Sequence, residues 1–282
     1  MNPSETERMR CMEVWGGNQA IDRRLTTAGL NVWLHSRPFD NALGGGDVYY
    51  VSSCASGRIT RLLLADVSGH GEIVSQTAIG LRDLMRLNVN YIKQTRFLKA
   101  MNDQFAIVDE EGGFATAIVS TFFAPTRRLS LCSAGHPPPM LFRAKMGTWI
   151  ELPTMVDTSS SPTDTPLGLI AEAEYSQCQL KLEVGDMVLA FTDAVTESVD
   201  QNGRLLGQQG LLRLLRSFAP CDAADVIPIV ASRLRKLDAN NMSQDDATLL
   251  LFQATSTRPS LRDNLFAPIR WLGSVNDRTK LN

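Results

Sequence analysis

The sequence predicts an α+β sandwich, and three observations carry that expectation. Short strand-like runs of alternating polarity come in pairs joined by turn residues. Segments of helical periodicity also come in pairs. The two kinds of segment do not alternate in the regular β-α-β order that a parallel sheet requires.

The elements follow in chain order. Met9, Met12 and Trp15 fall on one side of a short helix expected before Gly16-Gly17, and that helix is expected to pack on the core. Residues 1–27 are read as a short N-terminal extension, too few for a sensor domain. Residues 29–38 are strand-like, and 48–66 read as a hairpin, V-Y-Y-V-S-S-C and then R-I-T-R-L-L-L-A-D-V, with Gly57 and Arg58 at its turn. Val74, Ala78, Leu81 and Met85 recur at spacings that share one helical face. Leu98, Met101, Phe105 and Val108 repeat the pattern. Strands are expected at about 115–124, 128–134, 139–144, 178–183 and 186–192, separated by breakers such as Pro125 and Gly185. The Pro/Ser/Thr-rich stretch 153–168 reads as an exposed loop, long enough to suggest a function of its own. Leu211 to Leu215 and the series Val226, Val230, Leu234 and Leu237 predict two more helices, and Ala247 to Phe252 a closing strand. From 255 the character changes: five basic side chains face two acidic ones around Leu265, Phe266, Ile269, Trp271 and Leu272. This tail either packs on its own domain or docks on another chain. Residues 28–254 are thus the expected folded domain and 255–282 a basic, apolar tail.

Composition narrows function by exclusion. The 282 residues carry 28 basic and 30 acidic side chains, so there is no global field for nucleic acid, and basic residues are scattered rather than clustered. No apolar run approaches the ~18 residues of a membrane helix. The first ten residues lack a basic start and apolar core, so a cytoplasmic location is expected. Five widely spaced cysteines suit neither a zinc site nor a disulfide framework. There is no G-K dipeptide for a phosphate-binding loop, no G-x-S-x-G elbow and no H-E-x-x-H pair. Cys132 has Pro138 where a cysteine phosphatase needs an arginine.

The aspartates are more informative. Asp47 follows three glycines and begins a strand. Asp66 ends an apolar strand, Asp193 ends another, and Asp245 and Asp246 begin a third. Any one of them suits a turn or a cap. Gathered at one end of a sandwich, all of them would repel one another unless a cation neutralised them. Carboxylates without His or Cys select hard cations such as Mg²⁺ or Mn²⁺. Two such ions can activate a water and neutralise a phosphoryl group, so phosphate-ester hydrolysis is the expected chemistry.

Seven pieces then occur in a familiar order: G-G-D at Gly45 to Asp47, A-D-V-S-G-H-G at Ala65 to Gly71, S-A-G-H-P-P-P-M-L at Ser133 to Leu141, P-L-G at Pro166 to Gly168, F-T-D at Phe191 to Asp193, Leu206-Gly207, and D-D-A-T-L-L at Asp245 to Leu250. In this the chain resembles the metal-dependent protein phosphatases of the type 2C (PPM) superfamily, and within it the bacterial branch named after the stage II sporulation phosphatase. The resemblance implies an α-β-β-α sandwich of two mostly antiparallel sheets flanked by helix pairs, with two divalent cations, Mn²⁺ or Mg²⁺, at one end. It implies that Asp66 bridges both ions and that the Val67 backbone carbonyl is a further ligand. Asp47 would serve one ion, Asp193 and Asp245 the other, and Asp246 matches a position beside the ligands. The implied activity is removal of phosphate from phosphoserine or phosphothreonine on a small regulatory protein of the STAS type, in sigma-factor regulation.

Two departures from the family pattern are Tyr50, where Asp is common, and Ala194, where Gly is usual; the latter puts metal affinity in question if the position needs a positive φ. His70, four residues after Asp66, is read either as a donor or proton relay near the metals or as a helix-start residue. His136 is read as a structural histidine holding its proline turn or as a substrate contact. No arginine is assigned to the phosphate, although Arg37 follows the first strand. Regulation is expected from self-association or from a regulatory chain through the terminal segments. Two rival readings stand beside the enzyme: a non-catalytic, partner-binding version of the fold, and a phosphodiesterase or small-molecule phosphatase.

Overall fold

The computed structural model describes residues 6–55, 57–69, 72–91, 93–109, 112–152, 164–258 and 276–277. Two seven-stranded sheets face each other. The first has strand order β1 (Thr6–Arg8), β3 (Ile21–Thr27), β4 (Leu30–Arg37), β13 (Ala247–Ala254), β12 (Met187–Phe191), β9 (Met140–Arg143), β10 (Thr148–Glu151). The second runs β11 (Gln177–Lys181), β8 (Arg128–Ala134), β7 (Ala115–Phe123), β6 (Ile59–Val67), β5 (Asp47–Cys54), β2 (Glu13–Gly17), β14 (Asn276–Asp277). Helices α1 (Glu72–Leu87) and α2 (Gln94–Val108) cover the second sheet, while α4 (Gly207–Arg216) and α5 (Ala223–Leu237) cover the first. This is the α-β-β-α sandwich that the sequence leads one to expect.

Strand alternation divides the core into three layers. On β6, Leu62 and Leu64 point between the sheets, where they meet Val32, Phe122 and Phe252. Leu63 and Ala65 point the other way, onto α1 and α2. On the opposite sheet Val188 and Leu250 point inward, while Leu189 and Leu249 lie under α4 and α5. Each sheet is buried on both faces, which is why β6 and β12 read as nearly continuous apolar runs.

The same parity places polar residues. Asp47 and Asp66 continue the inward-facing rows of β5 and β6, and Thr192, Asp246 and Thr248 continue those of β12 and β13. All five stand at one end of the space between the sheets.

The N-terminus departs from expectation. No helix forms around Met9, Met12 and Trp15; instead β2 pairs antiparallel with β5. The residues E-V-W-G-G alternate, with Val14 under the helices and Trp15 against Tyr49, ring centroids 5.2 Å apart. At Gly16 a Cβ would lie 2.7 Å from the Tyr49 carbonyl oxygen, so the close strand approach needs glycine. In the tail, Asn276–Asp277 pair with β2, and Asp277 accepts from Arg82 and Arg86 of α1. At those two residues the tail packs on its own domain. Leu265, Phe266, Ile269, Trp271 and Leu272 lie outside the described residues. Among the described residues, no helix is long and apolar enough to cross a membrane.

Candidate metal centre

The site begins with the hairpin. Asp47 opens β5, Asp66 nearly closes β6, and the two are direct cross-strand partners. Asp47 is buried. Its Oδ2 accepts a 2.9 Å hydrogen bond from Thr192, while its Oδ1 is buried without a partner among the described residues. The Thr192 hydroxyl oxygen in turn accepts from the backbone N–H of Thr248 at 3.0 Å. Two threonines of the first sheet thus fix a carboxylate of the second.

Burial, then the facing charge of Asp66, pushes Asp47 well above the usual carboxylate range. Burial also raises Asp66, to about 8, helped by the charges of Asp193, Asp245, Asp246 and Glu197. Asp193 is raised as well, by burial and then by Glu197. The structure therefore brings Asp47, Asp66, Asp193, Asp245 and Asp246 within electrostatic reach of one another. Asp245 is the exposed member, at the mouth of the cluster.

Asp246 differs from the rest because both its oxygens are engaged by backbone. Oδ1 accepts the Phe39 N–H at 2.6 Å and Oδ2 the Gly46 N–H at 2.5 Å. It pins the glycine loop to the first sheet, and the fit leaves no space: a Cβ on Gly45 would fall 2.2 Å from Asp246 Oδ1. Gly46 runs equally close to the backbone of β6, where a Cβ would lie 2.8 Å from the Val67 carbonyl oxygen. The Val67 N–H bonds back to the Gly46 carbonyl at 3.2 Å. So the G-G-D run brings Asp47 beside Asp66 by letting two backbones nearly touch.

Several residues the sequence reading missed complete the site. Glu197 sits four residues after Asp193, at the end of the short α3 (Asp193–Thr196), so an i, i+4 acid pair was present in T-D-A-V-T-E. Asn18 is buried between β2 and β3 and donates to the Gly45 carbonyl at 2.9 Å and to Ser75 Oγ at 3.0 Å, tying the glycine loop to α1. Thr192 and Thr248 carried no signal beyond their place in the F-T-D and D-D-A-T runs.

Both departures from the family pattern lie harmlessly. Ala194 is in the helical turn of α3 and has no positive φ, so no glycine is required there. Tyr50 packs under the helices, on the strand face opposite to Asp47. Arg37 is turned to the outer face of the first sheet, where it donates to Asp22 and to the carbonyls of Ile21 and Ser36. His136 is buried, its Nδ1 2.9 Å from the Thr116 hydroxyl, and Thr116 is the cross-strand partner of Asp66. His70 lies outside the described residues.

Whether these groups suit divalent cations turns on their chemistry. Asp47 has an orphaned buried oxygen, its nearest charges are all negative, and every donor is oxygen. That combination is unfavourable alone and is relieved by a hard cation. Among the described residues, no three His, Cys, Asp or Glu side chains converge tightly enough to enclose an ion. The donor set therefore fits, gathered but not closed.

Residues 56–255 match the family described as stage II sporulation protein E (SpoIIE). The chain belongs to this family. The sequence is 25% identical over 193 residues to the phosphoserine phosphatase RsbU of Bacillus subtilis (strain 168), covering 68% of this chain and 55% of RsbU. The chain thus spans about half the length of that curated relative. Among solved structures, the RsbU and RsbW domains of a Mycobacterium tuberculosis protein share the fold at TM-score 0.67 and 22% identity, over 90% of this chain and 71% of that one. RsbX, solved in complex with magnesium, superposes at TM-score 0.60 and 14% identity, over 83% of this chain and all of RsbX. At these identities the two structures show the shared fold alone.

Proposed function

We propose that this SpoIIE-family chain is a metal-dependent protein phosphatase that hydrolyses phosphoserine or phosphothreonine on a regulatory protein. The observation that carries the reading is the facing pair Asp47 and Asp66, one with an orphaned buried oxygen, the other held at about 8 by its burial and four neighbouring acids. Asp66, Asp47, Asp193, Asp245 and the Val67 carbonyl are the groups that would hold two divalent cations, Mn²⁺ or Mg²⁺. When bound, such a pair supplies an activated water and neutralises phosphoryl charge. The protein's own part is positional. Thr192 and Thr248 fix Asp47; Asp246 and Asn18 fix the glycine loop; and Asp245 and Asp193 leave the cluster open on its solvent side, where a phosphorylated side chain enters. Asp246, with both oxygens on backbone N–H groups, is proposed as an anchor rather than as a ligand. By likeness to RsbU and to the RsbU–RsbW protein, the client is a phosphorylated STAS-type partner of an anti-sigma kinase.

The test is phosphate release by the full chain from phosphoserine and phosphothreonine peptides and from a phosphorylated STAS-type protein, with Mn²⁺ or Mg²⁺. Release that disappears in Asp66→Asn supports the proposal. No release with any metal leaves a non-catalytic, partner-binding module as the better reading, and preference for nucleotide or sugar phosphates points to a small-molecule phosphatase.

A further inference from the structure

Away from the acidic cluster, the first sheet is incompletely covered. Helix α5 lies over β13 and β4, and beside it the outer faces of β3 and β4 form an open groove of about 610 Å³. One wall is the strand pair, with Trp33 at its centre; the other is α5, where Ala224 and Pro228 are exposed and Ile227 and Ala231 lie buried beneath them. Trp33 is only half-buried.

Charge on the groove is one-sided. Arg24 stands opposite Trp33 in the β3–β4 register and lays its guanidinium over the indole, 5.0 Å from the ring centroid. Its Nε is buried without a hydrogen-bond partner. Arg235 projects from the last turn of α5 on the other wall, exposed. Arg23, also lining the groove, pairs with Glu7. The one acid in the lining among the described residues, Asp22, is already taken by His35 at 2.5 Å and by Arg37. Arg24 and Arg235 therefore stand on opposite walls, while the acid of the lining among the described residues, Asp22, is already paired.

We propose that this groove is a docking site for an acidic amphipathic helix of a partner protein. Ala224, Pro228 and the part-buried Trp33 meet the apolar face of such a helix, and Arg24 and Arg235 pair with carboxylates on its two flanks. A planar anion is a poorer match, because Arg24 covers the indole face on which a ring would stack. The groove is also open to solvent, whereas a small-molecule site encloses its ligand. The inference does not depend on the phosphatase reading, since none of these residues belongs to the acidic cluster.

The experiment uses the full chain and two fluorescent synthetic helices of about 18 residues with identical leucine stripes, one flanked by glutamates and the other by lysines. Fluorescence anisotropy should show saturable, salt-sensitive binding of the acidic peptide, about tenfold or more tighter than of the basic one. Arg235→Glu and Ala224→Trp, two changes at exposed groove positions, should each weaken it by about tenfold with the thermal midpoint unchanged. Equal affinity for the two peptides, absence of saturable binding, or binding untouched by both substitutions overturns the proposal. Displacement of the peptide by inorganic pyrophosphate at equal concentration also overturns it, in favour of a small-anion site.

Discussion

Asp47 and Asp66 stand directly opposite each other on adjacent strands, both facing the space between the sheets. Like charges in that position destabilise a sheet. Burial and this repulsion raise Asp47 well above the carboxylate range, while burial and the charges of Asp193, Asp245, Asp246 and Glu197 raise Asp66. The fold holds this arrangement because β12, β13 and the glycine loop are tied to it through Thr192, Thr248, Asp246 and Asn18.

A stability–function conflict follows. Asp66→Asn keeps the side-chain shape and removes a carboxyl whose ionisation the cluster opposes, so in EDTA the variant should be at least as stable as the parent, with a thermal midpoint a few degrees higher, on the order of 1 kcal/mol. The parent should gain stability on addition of Mn²⁺ and the variant should not. Differential scanning fluorimetry with and without metal measures both. A variant less stable than the parent in EDTA would mean that Asp66 is a structural acid, contrary to the account above.

Gly45 offers a second measurement, on geometry alone. A methyl group there meets the Asp246 carboxylate at 2.2–2.4 Å, so Gly45→Ala must expel that carboxylate and with it the bonds from Phe39 and Gly46. The expected loss is about 2–4 kcal/mol in urea denaturation, with activity falling together with stability. Gly57→Ala is the comparison: its φ is +77° but the nearest atom is 4.0 Å away, so only a backbone cost of ~1 kcal/mol is expected.

How legible this was from sequence differs by element. The hairpin 48–66 and the helix containing Val74, Ala78, Leu81 and Met85 were readable because each buries apolar side chains at the period of its own geometry. The strands β1 and β3 were not. T-E-R and I-D-R-R-L-T-T sit at the edge of a sheet, where outward positions are polar and the apolar signal thins to Ile21 and Leu25. β2 was misread as a helix because Met9, Met12 and Trp15 recur at helical spacing by chance, while the pairing partner that makes 13–17 a strand lies some 35 residues on, across the β2–β5 register. In the site, the aspartates were visible at strand ends, whereas Asn18 and Glu197 act through tertiary contacts that no local pattern encodes.

His136 sets an acid limit. Burial lowers its ring to about 3 from an ordinary value near 6.5. The unfolded chain then binds a proton that the folded chain refuses between those two values, so stability is full above pH ~6.5 and falls as pH drops toward 3. The slope from this one group is at most ~1.4 kcal/mol per pH unit. His136→Gln, which can still bond Thr116, should flatten the curve over this window while leaving midpoints at pH 8 within about 1 kcal/mol. Parallel curves for variant and parent would remove His136 as the cause.

The tail supplies the last case. Arg82 is buried on α1, and its guanidinium reaches Asp277 at 2.5 Å and Asp83 at 2.9 Å; Asp83 is 58% exposed, so Asp277, 16% exposed, is the partner that matters. Its Nε has no hydrogen-bond partner among the described residues. Removing Asp277 leaves a buried cation facing solvent-screened charge, and Asp277→Asn should therefore cost ~3 kcal/mol. Replacing the arginine itself by an apolar group of similar length removes the charge together with its need for a partner. Arg82→Met should cost less than Asp277→Asn, and the double variant should be no less stable than Arg82→Met alone, a coupling readable from a double-mutant cycle in urea. Additive losses would mean that the strand pairing of Asn276–Asp277 with β2, rather than the ion pair, is what holds the tail on α1.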